Sequence, residues 1–223
     1  MSIITRKRAV AYFDILGFKS KIDNMQLEEL SDTYEKLIKH TVGLLNNKDG
    51  QFFWEQVCYR YIFSDSIFLI SRDDSDDAFV EMISYAWRMM QVAIAMGLPL
   101  RGAITYGDIY ANLESNVFLG KAIVDAAVLE GQQNWIGAVV DNSAIQRFGT
   151  VFEGKTIIAD VVRHLLPEYD VPFKDGNRYK YCVLNWRQNL VSKLGVKALF
   201  KNEPFDESVQ IKINLKYSCR PKQ

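Results

Sequence analysis

The order in which hydrophobic patterns follow one another along the chain is the feature that most constrains its fold. Strand-like apolar runs and helix-like periodic segments alternate, with two strand-like runs adjacent in the middle. The patterns cover residues 8–14 (strand), 27–45 (helix), 51–63 and 66–71 (strands), 79–93 (helix) and 100–107 (strand). This order predicts an α+β protein with a ferredoxin-like βαββαβ core, an antiparallel sheet with helices on its faces.

The patterns continue beyond this core but become weaker after residue 135. DIYANLESNVFLG is typical of a hairpin, and GKAIVDAAVLEG of an amphipathic helix that buries Ile123, Ala126, Ala127 and Val128. Short strands are expected at WIGAVV, TIIA and YKYCVLNW, with a helix at DNSAIQRF. Because no linker or repeat interrupts the chain, we expect a single domain over 1–223, with a core at about 8–140 and a C-terminal extension at about 141–223.

Composition argues against several classes of function. The 27 basic and 27 acidic residues cancel, so we expect neither nucleic-acid binding nor a membrane-surface role. The amino terminus lacks the features of a signal peptide, and no apolar run approaches the roughly 20 residues that span a bilayer. The three cysteines have no pairing or zinc-ligand spacing, which favours reduced thiols and a cytoplasmic location.

Two acids follow apolar runs, at positions where carboxylates would be held near each other. Asp14 ends the first strand, and Asp65 lies at the tip of the predicted hairpin. Together with the backbone carbonyl of Ile15, they could hold two hard cations that neutralise a triphosphate. Gly17 would then permit an open turn after Asp14, and the helix that follows could direct N–H groups at phosphate.

A structural interpretation competes with this one. Aspartate is favoured at helix caps and in turns, which would explain Asp14 or Asp65 taken singly. The pair, each member following an apolar strand, favours the metal site. The only histidines are His40 and His164, so a histidine-based triad or metal centre is improbable.

Four segments carry a resemblance to a known family. AYFDILGF, YIFSDSIF, LRGAITYGDIY and FLGKAIVDAAVLE resemble the class III nucleotidyl cyclase catalytic domain over roughly residues 8–131. The resemblance implies that Asp14 and Asp65 bind two Mg²⁺ or Mn²⁺ ions, and it matches Gly17 and Phe18 to the family's glycine and aromatic positions. It also implies a homodimer whose sites lie at the interface.

The residues with which the family recognises the base and stabilises the ribose and phosphate are replaced at the matching positions of this sequence. Pro99 and Val117 occupy the positions of the base-reading lysine and aspartate, which implies that adenine readout is lost. Val124 and Val128 occupy those of the ribose-orienting asparagine and the phosphate-stabilising arginine. Two interpretations follow: a degenerate, inactive nucleotide-binding homologue with a regulatory role, or a divergent branch that completes its site differently.

The retained acid pair favours the divergent branch. SDSI, RGAITYGD, FLGKAIVDAAVLE and YCVLNW resemble the bacterial pyrimidine cyclases of the Pycsar antiphage system. This implies conversion of UTP or CTP to cyclic UMP or cyclic CMP plus pyrophosphate, with uracil slightly favoured. The product would then be read by a separate effector protein. A purine cyclase with unconventional contacts is a further alternative.

Three further residues are candidate substrate contacts, each with a structural alternative. Arg101 could pair with phosphate or with an acid at the edge of the core, and Tyr106 could contact a small base or pack on the sheet. Lys121 could meet a phosphate or be solvated. Asp108, after a glycine, is expected in a turn, and the direction of Asp125 on its helix stays open.

Overall fold

The computed structural model describes residues 3–43, 58–151 and 165–187. Its elements are β1 (Ile3–Ile15), α1 (Phe18–Asn24), α2 (Leu27–Gly43), β2 (Cys58–Phe63), β3 (Ser66–Ser71), α3 (Asp76–Ala95), β4 (Leu100–Asn112), β5 (Val117–Leu119), α4 (Lys121–Gln132), β6 (Gly137–Val140), α5 (Asn142–Val151), β7 (Glu168–Pro172) and β8 (Arg178–Val183). The predicted strand at 156–159 and the first half of the one at 51–63 lie outside the described residues.

The strands of the described residues form one open sheet in the order β2-β3-β1-β4-β6-β8-β7, with β5 paired to β4. Its first four strands have the neighbours of a ferredoxin-like βαββαβ core, so the predicted fold class is confirmed. The sheet is not antiparallel throughout, because β4 and β6 pair in parallel. Helix α4 connects these two strands, as a parallel pair requires a crossover.

The two faces of the sheet are covered differently. Helices α2 and α3 pack on the face that carries Phe13 and Ile15 of β1, and this cluster forms most of the core. Helix α4 covers part of the opposite face through Ala122 and Ala126. Side chains alternate along a strand, so Asp14 projects on the same face as α4.

The full-length pairing of β1 with β4 corrects two expectations from the sequence. The ladder runs from Ile3 opposite Asn112 to Ile15 opposite Leu100, so β1 begins well before residue 8. Strand β4 likewise continues past Gly107, which places Asp108 inside the strand rather than in a turn.

Helix α4 buries a different set of residues from the one predicted. Ala122, Ala126 and Leu129 are buried at helical spacing, whereas Val128 is 53% exposed. The prediction that Val128 is buried was therefore wrong, and the acid Glu130 lies on the buried side instead. None of the described helices is long and apolar enough to cross a membrane.

Candidate functional site

The structure brings the two predicted acids together at one end of the sheet. Asp14 lies opposite Ser66 in the β1–β3 ladder, and the Ile15 N–H donates to the Asp65 carbonyl oxygen at 3.0 Å. Asp65 occupies a two-residue hairpin turn in which Ser64 has a positive φ of 55°. The backbone hydrogen bond between Ile15 and Asp65 holds Asp14 and Asp65 beside each other at the end of the sheet.

The electrostatics of Asp14 suit a cation site. Burial raises the pKa of Asp14 to about 7, with a further upward contribution from Glu130, an opposing one from Arg101 and a smaller upward one from Asp65. Such a carboxylate gains a compensating charge when a divalent cation binds. The oxygen donors of Asp14 and Asp65 fit the preference of Mg²⁺ and Mn²⁺ for hard ligands.

Two carboxylates alone do not complete a coordination sphere. In the part of the chain that the structure describes, no three His, Cys, Asp or Glu side chains converge as a possible metal site. A cation held by Asp14 and Asp65 would therefore take its other ligands from carbonyls such as that of Ile15, from water or from substrate phosphates, as Mg²⁺ commonly does.

Arg101 lies beside this pair, on β4, directly across from Asp14. Its Nη2 is 3.4 Å from Asp14 Oδ2, its Nε donates to Glu130, and its Nη1 donates to the Gln133 carbonyl at 3.3 Å. These contacts match the interpretation of Arg101 as the partner of an acid at the edge of the core. The sequence analysis missed Glu130, whose signal was an acid on the buried side of an amphipathic helix.

The chain leaves β1 through a tight turn next to the acids. Gly17 has φ 75°, a left-handed conformation that glycine adopts without strain, and it precedes α1. Phe18 packs edge-on against Tyr34 of α2, with ring centroids 6.1 Å apart. The Tyr34 hydroxyl donates to the Ser64 carbonyl at 3.1 Å. The rings of Phe18 and Tyr34 therefore lie beside the hairpin turn that carries Asp65.

Tyr34 is a second residue that the sequence analysis missed. Its pKa is raised by burial and then by the negative charges of Asp65 and Asp14, which places the phenol in the field of the acid pair. In the sequence, Tyr34 falls within the predicted helix at 27–45, at helical spacing from Leu30 and Leu37, which indicates burial but no role in a site. Its proximity to the site depends on how α2 packs against the hairpin.

The structure places Tyr106 and Lys121 away from the acid pair. The Tyr106 ring packs on Phe79 with centroids 5.8 Å apart, within the cluster on the face of the sheet opposite Asp14. Lys121 begins α4 with an exposed side chain and pairs with Asp125, Nζ to Oδ2, at 2.6 Å. The contacts of Tyr106 are those of ordinary sheet packing, and those of Lys121 are typical of a surface helix.

Apolar side chains are exposed around the same face of the sheet as the acid pair. Val124 and Val128 on α4 are 59% and 53% exposed. Phe63, beside the hairpin turn, is 85% exposed. Exposed apolar residues grouped in this way are typical of protein–protein contact surfaces.

The comparisons with known proteins identify the fold. At the level of sequence, no protein-family model and no curated protein matches the chain. The crystal structure of the adenylyl cyclase CyaB from P. aeruginosa superposes with a TM-score of 0.55 at 15% identity, covering 83% of this chain and 97% of that one.

Two guanylyl cyclase structures are similar to a comparable extent. The catalytic core of a rhodopsin-guanylyl cyclase with converted specificity, in complex with ATPαS, gives a TM-score of 0.58 at 12% identity, covering 82% of this chain and 98% of that one. The guanylyl cyclase Cya2 gives a TM-score of 0.51 at 13% identity, covering 82% of this chain and 93% of that one. The chain therefore has the class III nucleotidyl cyclase fold.

Proposed function

We propose that this chain is a metal-dependent nucleotidyl cyclase that converts a pyrimidine nucleoside triphosphate, UTP in preference to CTP, to its 3′,5′-cyclic monophosphate and pyrophosphate. The observation that carries the proposal is the placement of Asp14 beside Asp65 at the sheet end of a cyclase fold, where the Ile15 N–H bonds the Asp65 carbonyl oxygen. In the reaction, the ribose 3′-oxygen bonds to the α-phosphorus, and the bond from that phosphorus to pyrophosphate breaks.

The residues of the site have separate tasks in this proposal. Asp14, Asp65 and the Ile15 carbonyl would hold two Mg²⁺ or Mn²⁺ ions, whose charge favours ionisation of the 3′-hydroxyl and stabilises the departing pyrophosphate. The Gly17 turn and Phe18 border the space that the phosphates would enter. Arg101 stays in the proposal as a candidate phosphate contact, though it already bonds Asp14 and Glu130. Lys121 lies away from the acid pair of its own subunit, so it stays a candidate only for a site that a second copy completes.

The choice of a pyrimidine rests on side chains that cannot read a purine. By the resemblance, Pro99 and Val117 occupy the base-reading positions, and neither side chain has a hydrogen-bonding group. The similarity to Pycsar cyclases supports UTP or CTP as substrate. We extend it to a cytoplasmic role in bacterial antiphage defence, with the cyclic nucleotide read by a separate effector protein.

A homodimer with sites at its interface is part of the proposal. The exposed apolar side chains of Phe63, Val124 and Val128 lie on the same side of the sheet as the acid pair, and a second copy could cover them. A nucleotide held only by the Asp14–Asp65 edge would leave most of its surface in water.

The test is incubation of the purified chain with each of the four nucleoside triphosphates and Mn²⁺, with products identified by mass spectrometry. One cyclic pyrimidine product is expected, and Asp14→Ala and Asp65→Ala should each abolish it. Asp32→Ala is the matched control, since Asp32 is a solvent-exposed acid paired with Lys36 on α2. A cyclic purine product would overturn the pyrimidine assignment, and no product from any substrate would contradict cyclase activity.

A catalytically inactive nucleotide-binding homologue is the second candidate. It is favoured by Val124 and Val128, which the resemblance places where an asparagine and an arginine act on ribose and phosphate. This candidate predicts that calorimetry detects binding of a nucleoside triphosphate with Mn²⁺ while no cyclic product forms. Product formation that depends on Asp14 would exclude it.

A further inference from the structure

A buried polar network lies behind Asp14 and joins β4 to the end of α4. Arg101 is its centre, with Nε bonded to Glu130 and Nη2 3.4 Å from Asp14 Oδ2. The side chains of Arg101 and Glu130 are 8% and 7% exposed, whereas that of Asp14 is 23% exposed. Asp14 is thus the member of this trio that solvent and ligands can reach most easily.

The guanidinium of Arg101 is also fixed in place by backbone. Its Nη1 donates to the carbonyl of Gln133 at 3.3 Å. The Gln133 side chain is itself held, because its Nε2 donates to the carbonyls of Gly102 and Leu129 and its Oε1 accepts from Trp135 Nε1 at 2.6 Å. Arg101 therefore keeps its position between the two carboxylates.

The balance of charge in this trio depends on Glu130. A buried guanidinium needs a counter-charge, and Arg101 has its closer contact with Glu130 and its longer one with Asp14. If position 130 carried no charged side chain, the positive charge of Arg101 would be balanced by Asp14 alone. A cation approaching Asp14 would then compete with a fixed positive charge a few ångströms away.

Resting on the proposed function, we propose that Glu130 is a positioning residue that occupies Arg101 and so reserves Asp14 for a divalent cation. The formal charges of Asp14, Glu130 and Arg101 sum to one negative charge, and Asp65 brings the site to two, which balances one divalent cation. With glutamine at position 130, the trio would carry no net charge. Glu130 would act through Arg101, without contacting the cation or the nucleotide.

The test measures Mn²⁺ affinity in the absence of nucleotide, from the electron paramagnetic resonance signal of free Mn²⁺. Glu130→Gln, which removes the charge and keeps the shape, is expected to weaken Mn²⁺ binding by about tenfold or more. The double variant Arg101→Gln/Glu130→Gln removes the competing cation as well, so its affinity should return to within about threefold of the original chain. If Glu130 only supported the fold, the double variant would bind Mn²⁺ more weakly than Glu130→Gln does.

Glu168→Gln is the matched control, because it makes the same change in an exposed ion pair, with Lys180 Nζ 3.3 Å from Glu168 Oε2, and should leave Mn²⁺ affinity unchanged. Unchanged affinity in Glu130→Gln, or a double variant that binds no better than Glu130→Gln, would overturn the inference. Circular dichroism confirms the fold of each variant.

Should Glu130→Gln alone not fold, Arg101→Gln takes its place. Because this variant lacks the competing charge, its Mn²⁺ affinity is expected to equal or exceed that of the original chain. A lower affinity would overturn the inference. An original chain that binds no Mn²⁺ would overturn the metal-dependent function, and this inference with it. An original chain that binds Mn²⁺ and makes product, beside a Glu130→Gln variant of equal affinity, would overturn the role of Glu130 alone.

Discussion

Asp14 and Arg101 are direct cross-strand partners in the β1–β4 ladder, with Arg101 Nη2 3.4 Å from Asp14 Oδ2. A guanidinium this close ordinarily lowers the pKa of a carboxyl group. Here burial and the charges of Glu130 and Asp65 outweigh it, and the pKa of Asp14 is raised to about 7. The charge of Asp14 therefore changes near neutral pH, and this has consequences for both metal binding and stability.

Metal affinity should depend strongly on pH. A cation binds the ionised carboxylate, so below the raised pKa of Asp14 it must displace a proton. We expect Mn²⁺ affinity to rise by up to about tenfold per pH unit as the pH approaches about 7 from below, and to level off above it. Calorimetric titration at a series of pH values checks this. An affinity that does not change between about pH 5.5 and pH 8 would contradict it.

Stability without metal should show the opposite trend. The pKa of Asp14 is about 7 in the folded chain against 3.8 for an ordinary aspartate, so the folded state binds this proton more tightly. The stabilisation from that proton is complete below about pH 4 and is lost as the pH rises to about 7. Asp14→Asn mimics the protonated form at every pH. The free energy of unfolding of this variant, relative to that of the original chain, should therefore increase as the pH rises from about 4 to about 7.

Urea unfolding in the presence of EDTA measures this difference. Comparing the two chains at each pH cancels the contributions of other titrating groups. Asp32→Asn, on the exposed surface of α2, should show no such pH-dependent gain. A constant difference between Asp14→Asn and the original chain at all pH values would mean that Asp14 titrates normally.

Asp14 and Asp65 could be located from the sequence because each is marked by its own neighbours. An apolar run that ends in an acid and a short polar turn between two strand-like runs are properties of a few consecutive residues. The hydrogen bond from the Ile15 N–H to Asp65 shows how closely these two features meet. Local patterns were enough for this half of the site.

The rest of the site depends on tertiary packing. Glu130 and Arg101 are 29 residues apart, and their contact exists only because α4 packs on β4. The placement of Tyr106 had an available signal, since Tyr106 is five residues after Arg101 and successive strand residues alternate between faces. Counting along β4 would have put Tyr106 on the face opposite Arg101.

The close approach of β1 to β4 predicts a sensitive glycine. A Cβ at Gly102 would lie 2.7 Å from Phe13 Cε1 and 2.8 Å from the Tyr12 carbonyl oxygen, and Phe13 is fully buried. Gly102→Ala should therefore lower the free energy of unfolding by about 1–3 kcal/mol. Urea denaturation monitored by circular dichroism measures the change.

Gly131, near the end of α4, supplies the control for this substitution. A Cβ there would meet nothing within 4 Å, so Gly131→Ala should be neutral or stabilise the chain by about 0.5–1 kcal/mol. Equal effects of the two substitutions would show that the space around Gly102 is not limiting.

The last prediction concerns the surface that a second copy would cover. Val128 is 53% exposed, so Val128→Asp should change the free energy of unfolding of one subunit by no more than about 0.5 kcal/mol. In a dimer that buries α4, the same substitution places an unpaired charge in an apolar contact, and the dimer dissociation constant should rise by about tenfold or more. Sedimentation equilibrium measures it.

Leu27→Asp is the matched control for Val128→Asp. Leu27 is 70% exposed, but it begins α2, which packs on the other face of the sheet, so this change should leave the dimer intact. If Val128→Asp left the dimer unchanged while Leu27→Asp dissociated it, the interface would lie on the α2 side, and the acid pair would not face a partner. If the original chain were monomeric and still formed product, each subunit would complete the site by itself.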